Sequence, residues 1–286
     1  MMKKIVSYAT HDTMYLKAFT YSLLVALYIP TFYKLFSFGW KQTDYSHGPL
    51  ILLVFLYLIF RKRNVFFFTP DSRVHLFSFL LLFFGSIMYA LGSIHRVVMI
   101  ESFSLIPVFI GTTGFLMGRE AFRQVLFPAA FLIFLVPPPL FFIDMLTSPL
   151  KMFVAGVSES LLRLAGYTLN RNGVILFIGD YSVVVGDACS GIRSLISLMA
   201  VGALYAYIQS TSNLKKVVLF LSIIPIVIGA NIVRLMLFAL ITYHFGEAAG
   251  QGFFHYFSGI LIFILSLMSL VVIDVFIINR RSRHGG

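Results

Sequence analysis

Cys189 is the only cysteine among the 286 residues. It stands in Gly186-Asp187-Ala188-Cys189-Ser190-Gly191-Ile192-Arg193-Ser194, between a short apolar, hairpin-like run and the start of a long apolar helix. A cysteine in the first turn of a helix meets the positive end of the helix dipole and unpaired backbone N–H groups, which favour thiolate over thiol. A lone cysteine in an apolar chain is otherwise a small buried hydrophobe. Arg193, one turn further on, and an arginine and a histidine later in the chain turn the reading toward chemistry. Asp187 precedes the helix by two residues. Capping suits it best, and orienting Arg193 or His255 is the alternative.

Arg234 lies inside Ile232-Val233-Arg234-Leu235-Met236-Leu237-Phe238. An arginine in an apolar span costs ~2.5–3.5 kcal/mol on insertion scales, so it marks a functional site by default. Asn231 sits one turn before it on the same helical face. The structural alternative is an arginine paired with Asp187 or with backbone carbonyls. His255 falls at a span boundary, in Phe253-Phe254-His255-Tyr256-Phe257-Ser258-Gly259. Taken alone it suits an interfacial residue. Beside Cys189 it is the obvious base, because a histidine partner is the usual way to make a cysteine nucleophile. Arg234 then has two tasks open to it, lowering the thiol pKa or stabilising the oxyanion of a tetrahedral intermediate.

Metal chemistry is disfavoured. His47, His95, His244 and His255 never fall at i, i+4 on one helix, and no second cysteine exists. Neither metal nor cofactor is therefore expected. The string Thr43-Asp44-Tyr45-Ser46-His47-Gly48 offers a polar platform with His47 as a supporting residue. A turn capping the next span accounts for it equally well.

These residues have to be positioned by membrane helices. The chain is 59% hydrophobic and 12% charged, with a mean hydropathy of +0.93, values that belong to a polytopic membrane protein. Its net charge of +11 does not point to nucleic acid. The basic residues sit in small groups at the ends of apolar runs, as the positive-inside rule expects.

Eight spans are expected, at about 17–38, 49–60, 74–94, 99–117, 121–142, 189–207, 217–243 and 255–278. The second is short for a bilayer. Pro128 and Pro137-Pro138-Pro139 must unwind the far end of the fifth. Between the fifth and sixth, Leu150, Phe153, Val157, Leu161 and Leu164 share one helical face from Pro149 onward, which reads as an amphipathic helix in the interface or packed on the bundle. The runs 174–178 and 181–185 around Gly179-Asp180 read as a β-hairpin.

With eight spans, Lys3, Lys4, Lys17, Arg61–Arg63, Arg73, Arg119, Arg123, Lys215, Lys216, Arg280, Arg281 and Arg283 share one side. Both termini are then cytoplasmic. The cysteine, the outer ends of the seventh and eighth spans, the amphipathic helix and the hairpin share the other side. The expected fold is thus an all-α integral membrane protein, a single transmembrane domain over 1–286 with an outer-face insert at about 144–188.

Ala188-Cys189-Ser190-Gly191-Ile192-Arg193-Ser194, Asn231-Ile232-Val233-Arg234, and His255 before a final span resemble the exosortase/archaeosortase family. Tyr45-Ser46-His47-Gly48 and the Tyr57–Arg63 end of the second span match its exosortase branch, and a histidine at the third place favours the bacterial side. The resemblance implies a cysteine peptidase or transpeptidase of the cell membrane, with its active site facing outside or the periplasm. It implies Cys189 as nucleophile, Arg234 as its partner and His255 as the third member. Asp187, Arg193, Asn231 and His47 are supporting candidates. The implied clients are proteins ending in a short motif, a transmembrane segment and a basic tail. A lipid or glycan amine is the implied acceptor, membrane lipids surround the chain, and nucleic acid takes no part. A non-catalytic scaffold or a transporter is the alternative. A transporter should show repeated halves, and the sequence has no internal repeat.

Overall fold

The computed structural model describes residues 2–41, 47–68, 74–136, 140–184, 192–209, 212–247 and 253–282. The chain is mostly helical and divides into two compact units, Met1–Pro138 and Pro139–Gly286.

The first unit opens with α1 (Met2–Lys34), which runs into a π-helical turn, Leu35–Gly39. Next come α2 (Gly48–Arg61), with a proline in its first turn where no N–H is needed, and a 3-10 turn, Arg63–Phe67. Helix α3 is His75–Ile94, α4 is Val98–Phe103, and α5 is Leu105–Phe131, followed by the 3-10 turn Leu132–Leu135.

Helix α5 is broken at Gly118 (φ 82°, ψ −170°), where the fourth and fifth spans were expected to meet. The fifth span is shorter than expected, because its α-helix ends at Phe131 and Phe142 belongs to the next helix. Val136 is extended, as the residue before a proline must be, and that ends the helical geometry early. Pro128, by contrast, is absorbed inside α5.

Two antiparallel helices in this unit meet along small residues. Ser78, Gly85 and Gly92 recur every seventh position on α3, and all are buried. A Cβ on Gly85 would stand 2.9 Å from the Val108 nitrogen, one on Gly92 2.5 Å from the Glu101 nitrogen, and one on Gly111 2.8 Å from the Ser78 carbonyl oxygen. In lipid, where apolar burial does not drive helices together, such close backbone approach supplies the packing energy. Glu101, 1% exposed, accepts from Thr31 Oγ1 (2.6 Å) and from Lys34 Nζ (2.8 Å). Tyr28 Oη and Ser104 Oγ are 2.6 Å apart. Together these bonds tie α1 to α4 and the start of α5.

The second unit contains α6 (Leu140–Leu164), β1 (Leu169–Asn172), β2 (Ile175–Ile178), β3 (Tyr181–Val184), α7 (Ile192–Ile208), α8 (Asn213–Phe245) and α9 (Phe253–Ser282). Helix α6 begins before Pro149 and carries it internally. It buries Val154, Ala155, Ser158 and Leu162, while Phe153, Leu161 and Leu164 stay exposed. Most of the apolar face seen in the sequence is therefore free, although Leu150 packs on the core, and the face with Val154, Ala155, Ser158 and Leu162 does the packing. Helix α6 stops in a Schellman motif at Gly166 (φ 92°), with Gly166 N–H bonded to Arg163 O and Tyr167 N–H to Leu162 O.

The expected two-stranded hairpin is a three-stranded antiparallel sheet of order β1-β2-β3. Asn172 pairs with Ile175 and Ile178 with Tyr181, so both loops have two residues. Gly173 (φ 61°) and Gly179 (φ 57°) supply the positive φ that a type II′ turn needs at its first central position. The first strand, Leu-Asn-Arg-Asn, has no β-branched residue and buries only Leu169. It is fixed instead by Arg171, whose Nε bonds Glu159 Oε2 on α6 and whose Nη1 bonds Gly173 O, each at 2.8 Å.

Helix α8 is the spine of this unit. Toward its C-terminus, Leu235 and Ala239 pack with Val154, Ala155, Leu162, Leu176, Ile178 and Val183 from α6 and the sheet. Toward its N-terminus, Leu219, Ile223 and Val227 pack with Leu198 of α7 and Leu270 of α9. Tyr205 Oη donates to Asp274 Oδ2 at 2.5 Å, joining α7 to α9. Among the described residues five stretches are long and apolar enough to cross a bilayer: 14–39, 75–94, 98–135, 214–245 and 257–276. Gly48–Arg61 and Leu195–Ile208 are apolar but shorter.

Candidate functional site

Arg234 projects from α8 eleven residues before its end, about 16 Å along the axis. It is 7% exposed. On the adjoining faces of α8, Leu235 and Ala239 are taken up by the α6–sheet core. Ser158 Oγ of α6 donates to the Ile232 carbonyl at 3.4 Å. The Arg234 side chain turns toward α9. A Cβ on Gly259 would lie 3.6 Å from its Nη2 and 3.9 Å from its Cζ, so the glycine forms a seat for the guanidinium.

His255 is four positions before Gly259 in the same helix. Residues at that spacing stack on one face, so the backbone puts His255 one turn from the arginine's seat, toward the N-terminus of α9. Its side chain lies outside the described set. The sequence singles out Arg234 and His255 as candidates and does not point to Gly259. The signal was there, a glycine one turn beyond the histidine, beside Ser258 in an otherwise bulky apolar run.

Asn231 is 2% exposed. Its Nδ2 donates to the Val227 carbonyl of its own helix at 3.0 Å, and among the described residues its Oδ1 has no hydrogen-bond partner. Arg193 is the second residue of α7, with its side chain outside the described set. Asp187 and Cys189 lie outside the described residues, as do Asp44, Tyr45 and Ser46.

His47 belongs to the first unit, at the N-terminus of α2. Burial lowers its pKa, and a hydrogen bond to the Phe134 backbone opposes the shift. Beside it the Trp40 indole donates to the Leu135 carbonyl at 3.3 Å and lies where a Cβ on Gly48 would be. The His47-Gly48 pair thus anchors the head of α2 to the end of the α5 run, which gives the histidine a structural task of its own.

A chain of apolar helices with a guanidinium held inside defines a multi-pass membrane protein whose polar chemistry is internal. Compared with known families, residues 40–272 match the model of the transmembrane exosortases (Exosortase_EpsH), and the chain belongs to that family. No curated protein and no solved structure matches it. Membership implies a membrane protease or transpeptidase of protein sorting that acts on proteins with C-terminal sorting signals.

Proposed function

We propose that this chain is a cysteine peptidase–transpeptidase whose nucleophile is Cys189, assisted by Arg234 and His255 at the outer membrane face. The observation that carries the reading is the seat of Arg234. A nearly buried guanidinium rests on α9 one turn from His255, and packing of α6 and the sheet holds its helix in place.

A client is held by its own C-terminal span, and its motif reaches the site. His255 takes the thiol proton, and the sulfur adds to the scissile carbonyl. Arg234 stabilises the oxyanion, a task that low-dielectric surroundings make more effective. The tetrahedral adduct collapses with cleavage of the C–N bond, and His255 returns the proton to the leaving amine. The resulting thioester is attacked by an acceptor amine or by water, and the thiolate leaves. Asn231 and Arg193 support the arrangement.

Replacing Cys189 tests the reading. Cys189→Ala and Cys189→Ser chains should accumulate in the membrane at normal levels and leave clients at full length, because a hydroxyl is a far weaker nucleophile than a thiolate. Wild-type chain stopped during turnover should carry client mass in thioester linkage. Normal cleavage by Cys189→Ala would exclude covalent catalysis by this protein.

A further inference from the structure

The outer edge of β3 carries backbone polar groups that, among the described residues, the packing leaves unused. In a two-residue hairpin the residues flanking the loop are a hydrogen-bonded pair, and pairs alternate from there. Ile178–Tyr181 and Leu176–Val183 therefore exchange the β2–β3 bonds. The N–H and C=O groups of Ser182 and Val184 point the other way, off the sheet. Among the described residues, nothing hydrogen-bonds to them. Val183 is buried against α8, so one face of the strand is fixed to the spine, while Ser182 and Val184 are exposed.

The two edges of this sheet differ. On β1, Arg171 reaches to Glu159 on α6, and a charge on an edge discourages pairing. On β3 the sequence Tyr-Ser-Val-Val has no charge and no proline. The edge also leads somewhere, since Cys189 follows Val184 by five positions. Connectivity alone keeps it within about 18 Å of that residue.

We propose that β3 is the docking edge for the client, which adds its sorting motif to the sheet as a fourth strand. The proposal rests on the reading of Cys189 as nucleophile. The occupant is an extended peptide, since a motif that precedes a membrane span must cross the site before its own helix starts. Backbone bonds from Ser182 and Val184 hold it, and the exposed side chains of these residues read alternate positions.

The probe is a protein of the same cell that ends in a motif, a span and a basic tail and that accumulates uncleaved when Cys189→Ala replaces the wild type. Proline at 182 or 184 removes an outward N–H and leaves the β2–β3 bonds intact. Ser182→Pro and Val184→Pro in the full-length chain should raise KM for this probe about tenfold or more, with kcat changed far less. In a Cys189→Ala, Ser182→Cys chain, single cysteines scanned through the motif should form disulfides at every second position, the period of a strand. Wild-type KM in both proline variants, or crosslinking without a period of two, overturns the docking edge while the enzyme reading stands. If no protein accumulates uncleaved in the Cys189→Ala cell, the enzyme reading fails and the docking edge with it. Should the proline variants fail to accumulate, the crosslinking pattern decides alone.

Discussion

Arg234 is the residue at which catalytic and structural roles separate most sharply. Lysine keeps the charge but loses the planar fork of donors. Losing one oxyanion donor costs about 2.7–4 kcal/mol of transition-state stabilisation, a slowing of about two to three orders of magnitude. Arg234→Lys should therefore insert, accumulate and bind client, and cleave it that much more slowly. Steady-state protein, client crosslinking and product, measured together in Arg234→Lys and Arg234→Ala, decide between the roles. Full cleavage by Arg234→Lys with loss of Arg234→Ala protein would make the arginine a structural counter-ion. Arg234 stood out in the sequence because charge inside an apolar run is costly, and His255 because a cysteine nucleophile calls for a histidine partner. Gly259 escaped notice because a glycine seat matters only once a partner helix is known to lie against it. Glu101 escaped for a related reason. It stands three positions into a short helix after a loop and looks like a boundary charge, yet it is 1% exposed and tied to Thr31 and Lys34.

Among the elements, the contact between α3 and α4–α5 is the one most exposed to a single methyl group. Alanine at Gly92 would bring Cβ to 2.5 Å from the Glu101 nitrogen and 2.9 Å from its Cα, both backbone atoms that cannot swing aside. Overpacking of this kind costs about 1–3 kcal/mol. It would also displace the carboxylate that receives Thr31 and Lys34. Gly92→Ala should lower the thermal midpoint in detergent. Gly229→Ala, on α8 with no atom within 4 Å of the new Cβ, should leave it unchanged or raise it, since alanine is the better helix former. Equal midpoints for the two variants would sink the account of the seam. Most helix positions were legible because long apolar runs between basic clusters leave few alternatives. The burial side of α6 was not. Its strongest apolar stripe, with Phe153, Leu161 and Leu164, is the exposed one, and in a membrane protein the greasiest face need not be the packed face. Strand β1 was illegible too, because its pairing comes from a turn glycine and an arginine clamp rather than from its own residues.

For the whole molecule, the distribution of basic residues predicts cytoplasmic termini. A cysteine-free chain (Cys189→Ala) with single reporter cysteines should be labelled from outside at Lys41 and at Gly246, and not at Lys215 or Arg281. Labelling of Lys215 and Gly246 from the same side would overturn the eight-span arrangement. The bond between Tyr205 and Asp274 bears on a different property of the whole. Helix α9 contains the most apolar of the five long stretches, and a smooth greasy cylinder in a bilayer has little to fix how deep it sits. The buried carboxylate, 3% exposed, has its hydroxyl partner on α7, and sliding α9 by even one residue, about 1.5 Å, would strain that bond. Asp274 lies fifteen positions beyond Gly259, about 22 Å down the helix. A hydrogen bond near one end of α9 thereby acts as a depth gauge for the other end. Because α7 in turn packs on α8, it keeps the glycine seat, and His255 one turn from it, level with the guanidinium of α8.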